Sequence, residues 1–156
     1  MKPSAIFTHD TYFLGANQGE LLAGGGINYE ALTFYLRHFS SVAVCCRIKR
    51  VKLACTADHS PGTGPGIRAV EVPNLSGPLM AWRNRRTARQ VLEAELNNAD
   101  VLIARIPSEI SLLAIAVAQK MGKPYLIELV GCAFDALWNY GSLWGRLYAP
   151  VAMLRT

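Results

Sequence analysis

Residues 100–141, reading DVLIARIPSEISLLAIAVAQKMGKPYLIELVGCAFDALWNYG, leave the chain the fewest choices of fold. Residues 101–104 are a short apolar run of strand type, and Pro107 stops it. Ser108 is placed to cap the helix that follows, and 110–121 is apolar almost all round, as in a helix buried on a sheet. Gly122 ends that helix, Lys123-Pro124 turns, and 125–130 reads as a second buried strand. A strand, helix and strand joined this closely make a βαβ unit with parallel strands. The C-terminal ends of such strands open onto a ligand crevice. Here that edge carries Arg105, Pro107, Ser108, Glu128 and Gly131, with Asp135 just beyond. Charges at the ends of buried strands need partners.

The rest of the chain reads as flanks of this unit. Residues 4–8 form a first strand that delivers His9 and Asp10 to the same edge, followed by a long turn. A helix runs from near Ile27 to about Phe39, mostly buried, with Glu30, Thr33 and Arg37 as one wet stripe. Residues 41–47 are a second strand, 49–55 an edge strand, 58–66 a loop and 67–72 a strand with one wet face. A helix spans about 80–97. It gathers Met80, Ala81, Ala88, Val91 and Leu92 on one side and Arg83, Arg85, Arg86 and Arg89 on the other, with Trp82 and Leu96 off the apolar arc. Alternation of strands and helices throughout predicts an α/β fold with a doubly wound, mainly parallel sheet.

The 156 residues suffice for one domain with a real core. A hydrophobic content of 51% against 17% charged is apolar for a soluble domain. The sheet is therefore covered on both faces, or apolar surface meets a partner, a second domain or a membrane. No run of about 20 apolar residues predicts a transmembrane helix, and the N-terminus turns polar too soon for a signal peptide. The net charge of +5 points to an anionic partner: nucleic acid, a lipid surface or a phosphorylated substrate. Cys45, Cys46, Cys55 and Cys132 lack CxxC spacing and read as reduced thiols in a cytoplasmic protein. His38 and His59 read as ordinary residues, and no Cys/His cluster predicts a metal.

Each candidate for chemistry has a plain alternative. Gly24, Gly25 and Gly26 precede a helix, where backbone N–H groups bind anions; the alternative is a simple turn. The spacing is neither GxGxxG nor a P-loop. His9 and Asp10 are candidate binding residues, or Asp10 is a cap. Arg105 and Glu128 end neighbouring strands, and bind ligand or pair with each other. Asp135 and Asn139 lie four apart, a spacing suited to sugar hydroxyls, or Asp135 caps a helix. Arg83, Arg85, Arg86 and Arg89 are a solvated face or a patch for anionic lipid headgroups. Without aromatic interleaving or a reader motif, nucleic acid is not expected. Residues 142–156 are an apolar, aromatic tail.

AIFTHD in the first strand, the glycine triplet, ADVLIARIPS and GKPYLIELVGCAFDALWNYGSLWGRLYAP together resemble the N-terminal domain of family 4 glycosyltransferases of the GT-B fold, of the kind that builds bacterial capsular or exopolysaccharide. The resemblance implies that 1–141 is a Rossmann-like, acceptor-binding domain and that 142–156 leads towards a second, donor-binding domain. It implies a retaining transferase without a metal, moving a sugar from a nucleotide-diphosphate sugar to a lipid-linked or polysaccharide acceptor. On that pattern Gly24, Gly25 and Gly26 approach the donor phosphate or sugar. His9, Asp10, Arg105, Ser108, Glu128, Asp135 and Asn139 line the acceptor side, with Asp135 and Glu128 the candidate catalytic groups. Many members carry a His where this chain has Val130-Gly131, which leaves that sugar-contacting role unfilled or passes it to Asp135. The expected setting is cytoplasmic and peripheral at the inner face of the membrane, and 1–156 alone is expected to be inactive. The rival reading is a non-enzymatic saccharide-binding or partner subunit, with the apolar tail as its contact. A weaker rival is a nucleotide- or anion-binding domain of another class.

Overall fold

The computed structural model describes residues 2–15, 21–24, 26–51, 59–131 and 138. In chain order the elements are β1 (Ser4–Gly15), β2 (Leu21–Ala23), α1 (Tyr29–Leu36), β3 (Ser41–Arg50), β4 (Ile67–Glu71), α2 (Pro78–Asn97), β5 (Val101–Ile106), α3 (Glu109–Met121) and β6 (Tyr125–Leu129). The sheet order is β4-β3-β1-β5-β6, and all four of these pairings are parallel. β2 adds antiparallel to the far end of β1. This is an α/β, Rossmann-like, doubly wound fold.

Alternation along the strands builds two cores, one per face, because successive side chains point to opposite sides. Ala5, Phe7, Val42, Val44, Cys46 and Ile103 pack with Ile27 and Leu32 on the α1 face. Ile6, Cys45, Leu102 and Ala104 pack with Leu92, Leu96, Leu113 and Val117 from α2 and α3 on the other. The central strands read as continuous apolar runs because both faces are covered. Adjacent Cys45 and Cys46 serve opposite cores as free thiols. Burial pushes the Cys46 thiol up to about 12 and raises Cys45 as well.

α3 forms where the sequence punctuation places it. The Ser108 hydroxyl accepts from the Ser111 N–H at 3.1 Å, and Gly122 closes the helix in the left-handed region at φ 65°. Inside, Thr8 Oγ1 donates to Ser111 Oγ at 3.0 Å, and Ser111 Oγ donates to the Thr8 carbonyl at 2.8 Å. These two fully buried hydroxyls thereby satisfy each other and fix α3 over β1.

Five expectations are corrected. The first strand does not stop at Thr8: a register shift between Thr8 and Tyr12 lets β1 continue to Gly15, paired with Arg47–Arg50 of a β3 that is longer than 41–47. The expected edge strand at 49–55 is partly the end of β3, and 52–58 lie outside the described residues. The first helix is short, and Phe34 is exposed because α1 buries only Leu32. Leu96 is fully buried, because the last turns of α2 lie on the sheet while its first turns do not. The strand at 125–129 is not buried. Among the described residues β6 is the last strand in the sheet order, and Leu126 and Leu129 are 53% and 71% exposed. The proposed division at 141/142 lies outside the described residues.

Candidate functional site

The register shift in β1 creates the site. β5 accompanies β1 only as far as Thr8↔Ala104, and β3 resumes pairing at Tyr12↔Arg47. His9, Asp10 and Thr11 therefore lie between two laddered segments, level with the end of β5, while β1 and β3 run on together. His9 follows Phe7 by two residues and Arg105 follows Ile103 by two, so both continue the α1 face. Arg47 follows Cys46 and takes the opposite side.

On the α2/α3 side the polar groups are spoken for. The Asp10 carboxylate accepts from the Glu109 N–H at 2.7 Å, so it occupies the N-terminus of α3 together with Ser108. The Asp10 carbonyl accepts from Arg47 Nη2, and Arg47 Nη1 donates to Ser76 Oγ at 3.1 Å. Of the two readings of Asp10, the cap is the one made. Ser108 is buried and caps α3.

On the α1 side Tyr35 Oη lies 2.8 Å from both carboxylate oxygens of Glu128 and donates to them. Burial, then this hydrogen bond, push the Tyr35 hydroxyl well above its usual range. Glu128 stands in register with Arg105 across β5 and β6, yet among the described residues no ion pair joins them. The tyrosine holds the carboxylate instead. His9 is lowered from its ordinary value by burial first and by the positive charge of Arg105 second, with Asp10 opposing and Arg47 assisting. The imidazole is neutral at pH 7.

Among the described residues, the buried side-chain nitrogens without a hydrogen-bond partner are His9 Nδ1, Arg47 Nε and Arg105 Nε. His9 lies at the register shift of β1, Arg47 beside it on β3 and Arg105 near the end of β5, three strands that are neighbours in the sheet. Polar atoms left unsatisfied in a folded interior are costly and mark places where something else binds. Sequence reading singled out His9 and Arg105 and missed Arg47 and Tyr35. The signal for Arg47 was available: it ends the apolar run SVAVCCR just as Arg105 ends VLIAR. Tyr35 carried no signal, since a tyrosine in an apolar helix stripe reads as core.

Of the glycine triplet, Gly24 and Gly26 are described. Gly24 donates its N–H to the Tyr12 carbonyl at 3.1 Å, and a Cβ there would come within 2.1 Å of the Tyr12 ring. The close approach that Gly24 permits is thus to its own chain. Gly26 has open space, and Gly25 lies outside the described residues. The helix start beyond is capped by Asn28, whose side chain accepts from Ala31 N–H at 2.9 Å. Asp135 and Asn139 also lie outside the described residues. Arg83, Arg85 and Arg86 are exposed on the first turns of α2, while Arg89 pairs with Glu93 at 2.7 Å. No group of three or more His, Cys, Asp or Glu among the described residues could hold a metal ion. No helix among them is long and apolar enough to cross a membrane.

Over 122 residues the chain is 25% identical to Protein CapJ of Staphylococcus aureus, a match covering 78% of this chain and 31% of CapJ. The chain spans about a third of that curated relative's length. No protein-family model matches. Among solved structures, a UGT transferase from Siraitia grosvenorii in complex with UDP is 16% identical, with a TM-score of 0.45 over 91% of this chain and 32% of that one. The C-terminal domain of the PF1911 hydrogenase from Pyrococcus furiosus is 16% identical, with a TM-score of 0.34 over 83% and 94%.

Proposed function

We propose that this chain is the acceptor-side half of a glycosyltransferase-like protein of capsule or related polysaccharide synthesis. The observation that carries the reading is the convergence of His9, Arg105 and the Tyr35–Glu128 pair at the open C-terminal edge of a parallel sheet, where such folds bind ligands. The likeness to CapJ over most of the chain supports the same reading. In the proposed reaction a nucleotide-diphosphate sugar, held by a further domain, gives its sugar to a lipid-linked saccharide with retention. This half orients the acceptor. The Glu128 carboxylate, fixed by Tyr35, accepts a hydrogen bond from a sugar hydroxyl, with Asp135 and Asn139 as further acceptor-side groups. Catalysis then rests on stabilising the departing diphosphate by cations and N–H groups, and no metal is needed. Gly26, with its open surroundings, leaves room for the donor to approach the glycine loop.

The proposed setting is the inner membrane surface. The first turns of α2 expose Leu79 and Trp82, at 68% and 82%, beside Arg83, Arg85 and Arg86. α2 starts at Pro78, two residues after Ser76, which touches Arg47 on the α2/α3 side of the sheet.

The test is transfer of labelled sugar from a panel of nucleotide-diphosphate sugars to a lipid-linked acceptor, using the protein extended by its donor domain. Glu128→Gln and Tyr35→Phe are expected to lower kcat/KM by about tenfold to a hundredfold, the usual cost of a misplaced substrate. Undiminished transfer in both variants, or no transfer from any donor by the extended protein, overturns the reading.

A further inference from the structure

Arg105 is a guanidinium at the end of a central strand, half-buried, with a carboxylate in cross-strand register that is already engaged by a tyrosine. Its Nε–H faces no acceptor, and neither does the Nδ1 of His9 on the adjacent strand or the Nε–H of Arg47 on the strand beyond. Two guanidinium charges therefore bear on one neutral imidazole, and the carboxylates nearest them, Asp10 and Glu128, are committed to α3 and to Tyr35. An arginine that forms no ion pair with the carboxylate in register with it, and whose Nε–H has no acceptor, can take an anion from outside.

We propose that His9 and Arg105, with the charge of Arg47 behind them, form a binding site for a diphosphate group at the C-terminal end of β5 and the adjoining register shift of β1. Guanidinium N–H groups suit phosphate oxygens, so Arg105 with His9 makes the contacts, while Arg47 adds only its positive field from the other side of the sheet, its terminal nitrogens being held by Ser76 and the Asp10 carbonyl. The neutral imidazole completes the set as a hydrogen-bonding group without adding a third charge to be desolvated. The site would give the half-domain a grip on the phosphates of its substrate and leave Glu128 for the sugar. This deepens the transferase reading and rests on the same crevice.

The experiment is isothermal titration of the purified protein with inorganic pyrophosphate, inorganic phosphate and acetate, with His9 imidazole resonances followed by NMR. Pyrophosphate is expected to bind more tightly than phosphate, acetate not to bind, and the His9 resonances to move on saturation. Arg105→Gln and His9→Gln each weaken pyrophosphate binding by about tenfold or more, the loss typical of a charge-assisted hydrogen bond. Arg105→Lys, which keeps the charge but loses the fork, falls between. Melting curves for each variant confirm the fold. Pyrophosphate affinity unchanged in folded Arg105→Gln, or absence of binding at millimolar concentration, overturns the proposal. Two further arms identify the source of the diphosphate. Tighter binding of UDP than of pyrophosphate assigns the site to a nucleotide, and tighter binding of geranyl diphosphate assigns it to a lipid-linked acceptor; each supports the diphosphate site. Transfer by the extended protein that is indifferent to Arg105→Gln removes this site while the transferase reading stands. Pyrophosphate binding with no transfer from any donor does the reverse.

Discussion

At the scale of single residues, the crevice shows how much depends on which partner reaches a polar group first. Tyr35 takes Glu128 and α3 takes Asp10, so His9 and the arginines are left over. His9 has a consequence in pH. Its folded pKa lies below the ordinary 6.5 because burial and Arg105 disfavour the imidazolium. Above 6.5 the group is neutral in both folded and unfolded states and stability does not depend on it. As pH falls below 6.5 the unfolded state binds the proton first, so stability declines until the folded pKa is reached. Replacing His9 by Gln is expected to flatten the urea-unfolding free energy between pH 6.5 and lower values; an unaltered slope would place the group outside the crevice. Gly24 offers a second test. The Cβ of Gly24→Ala collides with the Tyr12 ring, which also holds Lys49 at 3.8 Å from its centroid. Overpacking of this kind costs about 1–3 kcal/mol, and Tyr12→Ala should remove most of that cost in the double mutant. The glycine was conspicuous in the sequence. Its contact was not, because the Tyr12 against which it packs arrives through a strand extension that the apolar pattern of residues 4–8 does not reveal.

At the scale of elements, legibility follows local chemistry. α3 was readable because both its ends carry their own signals, Ser108 and Gly122, and its interior is apolar on the faces that meet β5 and α2. What could not be read is the second group at its start, Asp10, about a hundred residues away in sequence. Ser108→Ala should cost about 1 kcal/mol, the usual value of an N-cap. Asp10→Ala should destabilise by a similar amount and loosen the Arg47 contact; chemical denaturation measures both. α2 is the opposite case. Its arginines were visible, but their meaning depends on exposure. Arg83 and Arg86 form a like-charge i,i+3 pair in the first half of α2, which disfavours the helix slightly, with no acidic residue in the first turn. Trp82 beside them is exposed. Such a segment weakens its own helix and suits an anionic interface. Trp82→Ala, and separately Arg83, Arg85 and Arg86 all changed to Gln, should each reduce binding to vesicles containing phosphatidylglycerol, the triple change in a salt-dependent manner. The loss of charge should cost roughly 1 kcal/mol per arginine at the surface. Binding equal to wild type in both variants would make this a solvated helix face.

At the scale of the whole molecule, one sheet carries two cores, and their completeness differs along the sheet. The centre, β3-β1-β5, is sealed on both faces, which is why its apolar runs identified the fold from sequence alone. The same reasoning failed for β6, whose YLIEL run looks as buried as its neighbours'. Burial is a property of position in the sheet order, and a sequence pattern does not say which strand comes last. Tyr125, Leu126, Ile127 and Leu129 are exposed on an edge whose outer backbone groups β5 cannot satisfy. An apolar edge of this kind invites a further strand or another surface. Leu126→Lys with Leu129→Lys distinguishes the two conditions of this edge. If the edge is as open as its exposure indicates, the double variant keeps its stability to within about 0.5 kcal/mol per site and shows less concentration-dependent association in sedimentation velocity. A loss of several kcal/mol with no change in association would mean that the edge is covered from within the molecule. That outcome would contradict the exposure of Leu129 directly.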